Sequence, residues 1–199
     1  MNMEKINKEK ALEILHSNME NQNLRRHCYA VGKALAAYHD YFKQIGVATG
    51  SLDKEIWETI GILHDADWEK TTNTPEQHTL MLLEWLKAYD IPQEMLNVFR
   101  SHNNKITHLR EPETILEWTL ECCDELTGFI VAVTLVRPNK RVEEVTVDNV
   151  IKKFKQKEFA RQVDRSQIMQ CKEKLNIETE KFIEITLEAM KQSHELLGL

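Results

Sequence analysis

The chain has 199 residues, of which 42% are hydrophobic and 29% charged, an ordinary balance for one globular domain with a sizeable core. Its net charge of −6 argues against a domain that binds polymeric nucleic acid, because such domains are usually strongly basic. Only 6 glycines and 4 prolines are present, which leaves little material for tight turns and favours helices.

The N-terminal sequence MNMEKINKEK is polar and lacks the apolar segment of a signal peptide, and no apolar run reaches the length of a membrane span. The four cysteines include no CxxC motif and no regular spacing, so we expect free thiols in a reducing compartment. The sequence therefore predicts a cytoplasmic protein that binds no membrane, and it leaves the oligomeric state open.

Apolar residues recur with helical spacing along nearly the whole chain. The spacing predicts helices over residues 8–19, 24–45 and 52–64, the third capped by Asp53, and a fourth over 74–89 that Thr74-Pro75-Glu76-Gln77 opens as a capping box. Five more are predicted, over residues 92–102, 112–136, 147–154, 165–174 and 178–196. The result is an all-α prediction, a single-domain helical bundle over residues 1–199.

The predicted helix over residues 112–136 contains the β-branched stretch FIVAVTLV, which could form a strand by propensity alone. It is predicted to be helical because it continues the apolar stripe of that helix without a turn signal. Since the helix is apolar almost all round, it should lie at the centre of the bundle.

The chain contains eight histidines. A single histidine on an apolar helix face is more often a packed core residue than a ligand. Periodicity cannot choose ligands here, because His27, His78 and His102 border apolar positions and so do His16 and His39.

The stretch GILHDADWEK, residues 61–70, ends an apolar run with the adjacent pair His64 and Asp65. At a helix end both side chains can turn towards one ion, and imidazole and carboxylate are ligands of divalent metals. Asp124 lies on an apolar helix face, which is costly unless the carboxylate is paired or bound to metal. Gly128, one turn later, leaves room for another helix or for a ligand.

His27, the doublet His64-Asp65 and Asp124, in this order, resemble the motif of the HD superfamily of metal-dependent phosphohydrolases. The similarity covers about residues 20–136, and DELTG, LVRPNK and KEFARQVDRSQI also resemble a subgroup of small bacterial predicted HD hydrolases. The resemblance implies an HD-type bundle with its metal-site core over about 20–136 and C-terminal helices over about 146–197 packed on it.

The resemblance also implies the ligands of a divalent cation, which would be Mn, Fe, Co, Ni, Zn or Mg. They are His27, His64, Asp65 and Asp124. His78 and His102 stand where some members carry the ligands of a second metal, and otherwise they would support a single ion, so we expect one or two ions per chain. Histidines 16, 39, 108 and 194 match nothing in the motif and are expected to be structural or on the surface.

The implied activity is hydrolysis of a small phosphorylated metabolite or nucleotide, as a phosphomonoesterase or phosphodiesterase, by metal-activated water. The catalytic carboxylate candidates are Asp67 and Glu69, which would otherwise be solvated acids. The phosphate-binding candidates are the basic residues Lys70, Lys105, Arg137 and Lys140. Two alternatives stay open: a di-iron oxygenase and a non-catalytic nucleotide-binding HD module.

Overall fold

The computed structural model describes residues 4–199, and it confirms the all-α prediction. Residues 1–3, which the single-domain prediction includes, lie outside the described part. The helices are α1 (Lys8–Asn18), α2 (Gln22–Gln44), α3 (Lys54–Leu63), α4 (Trp68–Thr71), α5 (Leu80–Leu86), α6 (Gln93–His102), α7 (Asn104–Thr107), α8 (Ile115–Leu135), α9 (Val147–Phe154), α10 (Arg165–Leu175), α11 (Thr179–Gln192) and α12 (His194–Leu197). Two short 3₁₀ turns cover Pro75–Gln77 and Val142–Glu144.

Several helix ends follow from local side chains. Asp53 caps α3 as predicted, because its carboxylate accepts a hydrogen bond from the backbone N–H of Ile56 at 2.9 Å. Thr114 and Glu117 form a reciprocal capping box at the start of α8. The β-branched stretch at the end of α8 is helical, as its stripe predicted.

The predicted helix over 74–89 is wrong in its first half. Thr74 makes no side-chain cap, and the chain instead passes through a 3₁₀ turn and the left-handed residue Thr79, with φ of 68°, before α5 begins. The first turn of α5 is capped from a distance, since the backbone N–H of Leu82 donates to Asp67 Oδ2 at 2.9 Å. A buried carboxylate from an earlier segment therefore replaces the local capping box.

The end of the same prediction is also corrected. Tyr89–Asp90 forms a two-residue strand, β2, which pairs in parallel with β1, Glu4–Lys5. This pairing holds the start of the described chain against the segment between α5 and α6.

Helix α8 is central, as predicted, because it packs against α2, α6, α9, α10 and α11. Helices α2 and α3 make the most intimate contact: a Cβ on Gly61 would lie 2.5 Å from the backbone of Gly32. Two glycines are therefore required where these helices cross.

One hydrophobic cluster runs from Ile6 to Leu197, and Tyr38 at its centre donates a hydrogen bond to the Phe182 carbonyl oxygen at 2.7 Å. All four cysteines are free thiols, as predicted, and the structure buries them. Within residues 4–199, we find no helix whose length and apolar character would let it cross a bilayer.

Candidate metal centre

Helix ends and helix faces that are distant in sequence bring six side chains to one place. The close crossing of α2 and α3 puts His27 of α2 beside His64 at the end of α3. The centroids of these two imidazoles lie 5.3 Å apart. The six residues are His27 on α2, His64 and Asp65 after α3, His78 before α5, His102 at the end of α6 and Asp124 on α8.

Two histidines face two carboxylates on one side of this cluster. Asp124 Oδ1 lies 2.8 Å from His27 Nε2 and 3.5 Å from His64 Nε2. Asp65 Oδ2 lies 3.6 Å from each of the same two nitrogens. Since ligands sit about 2 Å from a transition-metal ion, and atoms of His27, His64 and Asp124 lie within 4.8 Å of one another, these residues could surround one cation.

The other oxygen of Asp65 faces a second pair of histidines. Asp65 Oδ1 lies 3.3 Å from His78 Nε2 and 3.4 Å from His102 Nε2. The two oxygens of one carboxylate thus face different imidazoles. The two sets adjoin each other, since the His64 and His102 centroids lie 5.0 Å apart and atoms of His64, Asp65 and His102 also lie within 4.8 Å of one another. Carboxylates in this position can bridge two metal ions.

The first histidine pair is oriented through its Nδ1 atoms. His64 Nδ1 donates to the Gly61 carbonyl oxygen at 2.7 Å, and because a carbonyl only accepts, His64 Nε2 keeps a lone pair in its neutral form. This Nε2 is buried and has no hydrogen-bond partner. His27 Nδ1 lies 3.4 Å from the hydroxyl of Thr127, which itself donates to the Asp124 carbonyl oxygen.

The second pair is oriented by carboxylates. His78 Nδ1 donates to Asp67 Oδ1 at 2.8 Å, and His102 Nδ1 lies 3.2 Å from Glu121 Oε1. Gln167 supports Glu121, since its side-chain amide donates to Glu121 Oε2 at 3.0 Å and to the Glu121 carbonyl oxygen at 2.8 Å. A carboxylate that holds the far nitrogen of an imidazole is the usual support of a metal-binding histidine.

All four imidazoles therefore turn Nε2 inward and anchor Nδ1 on a protein oxygen. Two histidines outside the cluster behave differently: His16 bonds through Nε2 to Tyr29, and His39 has a buried Nδ1 without a partner. The shared orientation, together with the unpaired Nε2 of His64, fits a divalent cation. Four imidazoles with two carboxylates suit Fe, Mn, Co, Ni or Zn better than Mg.

The charges of the cluster favour a cation. Burial would raise the pKa of the Asp124 carboxyl, but the hydrogen bond from His27 and the nearby imidazole of His64 hold that pKa well below its usual range. Burial would lower the pKa of the His102 imidazole, yet hydrogen bonds to Asp65 and Glu121 raise it well above the usual value. The carboxylates thus hold a proton on the His102 imidazole, where a bound metal ion would supply the positive charge instead.

The cluster is closed on one side and open on the other. The side chain of His64 is 0% exposed, whereas those of His27 and Asp124 are 25% and 20% exposed. Asp67 is fully buried and both its oxygens accept hydrogen bonds, so it holds His78 and α5 in place. Among the six residues, the most exposed side of the cluster is therefore that of His27 and Asp124.

Two predicted site residues contact the loop between α1 and α2. The Glu69 carboxylate accepts hydrogen bonds from the backbone N–H groups of Glu20 at 2.6 Å and Asn21 at 3.1 Å. Lys70 Nζ donates to Asn18 at 2.7 Å. The structure does not bring Glu69 or Lys70 into the histidine cluster.

The other predicted basic residues lie at its margin or further away. Lys105 Nζ donates to Gln167 Oε1, which places it at the outer edge of the second histidine pair. Arg137 and Lys140 follow the end of α8, which continues for 11 residues, or about 16 Å, beyond Asp124. Arg137 and Lys140 therefore lie far from the histidine cluster, beyond the C-terminal end of α8.

The sequence assigned no role to Glu121 or Gln167. Glu121 gave one signal, since it is an acid on a helix that is apolar almost all round and the structure buries it. Gln167 lies 46 residues away along the chain, and nothing in its local sequence predicts that it contacts Glu121.

No protein-family model matches this chain, and neither the curated proteins nor the solved structures include a match. The interpretation of the cluster therefore rests on its own geometry and on the ordered motif in the sequence.

Proposed function

We propose that this protein is an HD-type metal-dependent phosphohydrolase that holds two divalent cations and acts on a small phosphorylated metabolite or nucleotide. The observation that carries the proposal is the position of Asp65, whose two oxygens face two histidine pairs with inward Nε2 atoms. The order of the motif, His27, His64-Asp65 and Asp124, supports the same class.

In this proposal His27, His64 and Asp124 would hold one cation and His78 and His102 the other, and Asp65, which lies between the two sets, would contribute to both. Divalent cations in such sites supply Lewis acidity towards a phosphoryl oxygen and lower the pKa of bound water.

The surrounding residues have positioning roles. Asp67 and Glu121 fix the orientation of His78 and His102 and keep hydrogen on their Nδ1 atoms. The buried side at His64 excludes bulk water, and the open side admits the phosphoryl group.

The first experiment measures metal content per chain by plasma mass spectrometry, on protein purified without chelator or nickel affinity. Phosphomonoesters and phosphodiesters are then screened with added Mn²⁺, Co²⁺ or Mg²⁺. We expect two metal ions per chain, and hydrolysis that falls to background in Asp65→Ala. Asp90→Asn, at an exposed position, is the control. Hydrolysis retained by metal-loaded Asp65→Ala would contradict the proposal.

A di-iron oxygenase is the second candidate, because the cluster offers four imidazoles and only two inward carboxylates, a donor set that iron accepts. It predicts two irons per chain and iron-dependent consumption of dioxygen without hydrolysis of phosphate esters. A protein that binds a nucleotide but turns over neither kind of substrate would instead support the non-catalytic module.

A further inference from the structure

A cavity of about 490 Å³ lies directly beside the open side of the cluster, between α2, α8 and the C-terminal turn. His27 belongs to both places: it is a lining residue of the cavity, and its Nε2 faces Asp124 and Asp65. A volume of this size is within the range of pockets that hold small ligands. A molecule in the cavity would therefore touch the candidate metal centre.

Gly128 opens this cavity. It follows Asp124 by one turn of α8 and lines the cavity, and a Cβ built on it would meet no atom within 4 Å. The sequence allowed two reasons for a small residue here, a packed helix or room for a ligand. Within residues 4–199, no neighbouring atom lies within 4 Å of that added Cβ, so the space beside Gly128 is open.

The walls of the cavity are mainly apolar. Ala30, Val131, Leu135 and Leu197 form much of the lining, and no aspartate or glutamate is among the lining residues. An apolar or aromatic group can be buried against these walls favourably. Most hydroxyl groups of a sugar would lose hydrogen bonds to water there, since the polar side chains of the lining are few: Asn23, Arg26 and His27.

Arg26 gives the same cavity a positive charge. It precedes His27 on α2, lines the cavity and lies against Gly198. In the part of the chain that the structure describes, Arg26 has no carboxylate partner within ion-pair distance. An unpaired guanidinium beside apolar walls suits a ligand that carries both an anionic and an apolar part.

We propose that this cavity binds the organic part of the substrate, and that this part is an aromatic group such as a nucleobase or an aryl ring rather than a polyhydroxylated sugar. The inference rests on the proposed phosphohydrolase, whose phosphoryl group would lie at the histidine cluster. Arg26 contributes positive charge for the phosphate, and Gly128 sets the size of the aromatic group that fits.

The test measures binding without turnover. Calorimetric titration of Mn²⁺-loaded protein compares phenylphosphonate with methylphosphonate, which share an anionic group and differ by the ring. We expect phenylphosphonate to bind about tenfold more tightly or better. Gly128→Leu, which fills the cavity, should remove this preference, and Arg26→Ala should weaken both ligands.

The controls are Ala88→Leu and Arg161→Ala, which change exposed positions outside the cavity and should keep the preference. Should Gly128→Leu fail to fold, Leu135→Trp on the same wall carries the same expectation, because Leu135 is half exposed. A preference that survives filling of the cavity, no preference in the wild type, or no binding of either phosphonate would overturn the inference.

Hydrolysis of phenyl phosphate is assayed separately, so that the two proposals can fail separately. Ring-dependent binding without hydrolysis of any ester would leave the cavity assignment standing and refute the hydrolase. Hydrolysis without ring-dependent binding would support the hydrolase and refute the cavity assignment.

Discussion

Asp67→Asn tests whether the second histidine pair is a metal site. The Asp67 carboxylate accepts two hydrogen bonds, from His78 Nδ1 at 2.8 Å and from the backbone N–H of Leu82 at 2.9 Å. Asparagine has the same shape but only one accepting oxygen, so one of these two donors must face its NH₂ group. The Leu82 N–H cannot change, whereas the imidazole of His78 can move its hydrogen from Nδ1 to Nε2.

This move gives the variant two measurable effects. Hydrogen on Nε2 removes the lone pair that would bind a metal, so we expect affinity for the second cation to fall by about 10- to 100-fold. Should the imidazole keep its hydrogen on Nδ1 instead, a buried donor loses its acceptor, at a cost of about 1–3 kcal/mol in the free energy of unfolding. The first cation, held by His27, His64 and Asp124, should bind as before.

The assay is calorimetric titration of metal-free protein with Mn²⁺, combined with metal content per chain and urea denaturation. The wild type should bind two ions and the variant one at the same free concentration, and the exposed substitution Asp90→Asn should match the wild type. Equal affinity for two ions in Asp67→Asn would refute the argument that Asp67 positions a metal ligand. A wild type that saturates with one ion would refute the dinuclear site itself.

Three further predictions concern stability. Gly61→Ala should cost about 3 kcal/mol or more in urea denaturation, because its Cβ would lie 2.5 Å from the backbone of Gly32 and would force α2 and α3 apart. Gly128→Ala should raise the free energy of unfolding by up to about 1 kcal/mol, because alanine favours a helix and meets nothing there. Glu117→Gln should cost about 2 kcal/mol at pH 7, because it weakens the pairing of the buried Glu117 carboxylate with the partly exposed Arg110 at 2.9 Å. Burial would raise the pKa of the Glu117 carboxyl, but Arg110 and backbone N–H groups lower it, so this stabilisation is complete above the usual glutamate pKa and is lost as pH falls through the lower value of the folded state.

A specific result would contradict each of these three predictions. A Gly61→Ala variant as stable as the wild type would mean that the helix crossing is not tight. Destabilisation by Gly128→Ala would mean that the space over this glycine is not free. A stability difference between wild type and Glu117→Gln that does not shrink as the pH falls from 7 to well below the usual glutamate pKa would exclude the ionised carboxylate as its source.

Much of the fold was predictable because it depends on short-range spacing. The apolar periodicity located both ends of α1, α2, α3 and α6 to within about two residues. It also identified α8 as central and helical. The failure at residues 74–89 has a specific cause. The Thr74 capping box was a valid local option, but Asp67, buried beside the cluster, caps α5 at Leu82 instead.

The break in the predicted helix over residues 74–89 also determines the position of one site residue, His78. The break between the 3₁₀ turn and α5, with Thr79 in the left-handed region, separates His78 from the helix that the sequence predicted for it. His78 is then held by Asp67 with Nε2 towards Asp65. A continuous helix would have fixed its direction by helical spacing alone.

The sequence by itself determined the helical class, and the order of its histidines and aspartates suggested which residues to examine. Only the tertiary structure decided that His78 and His102 face Asp65, that Glu121 and Gln167 support them, and that a cavity opens over Gly128. The physical reason is one of range. Helical periodicity is set by neighbours three and four residues apart, whereas the direction of an imidazole or the emptiness of a cavity depends on contacts between segments tens of residues apart.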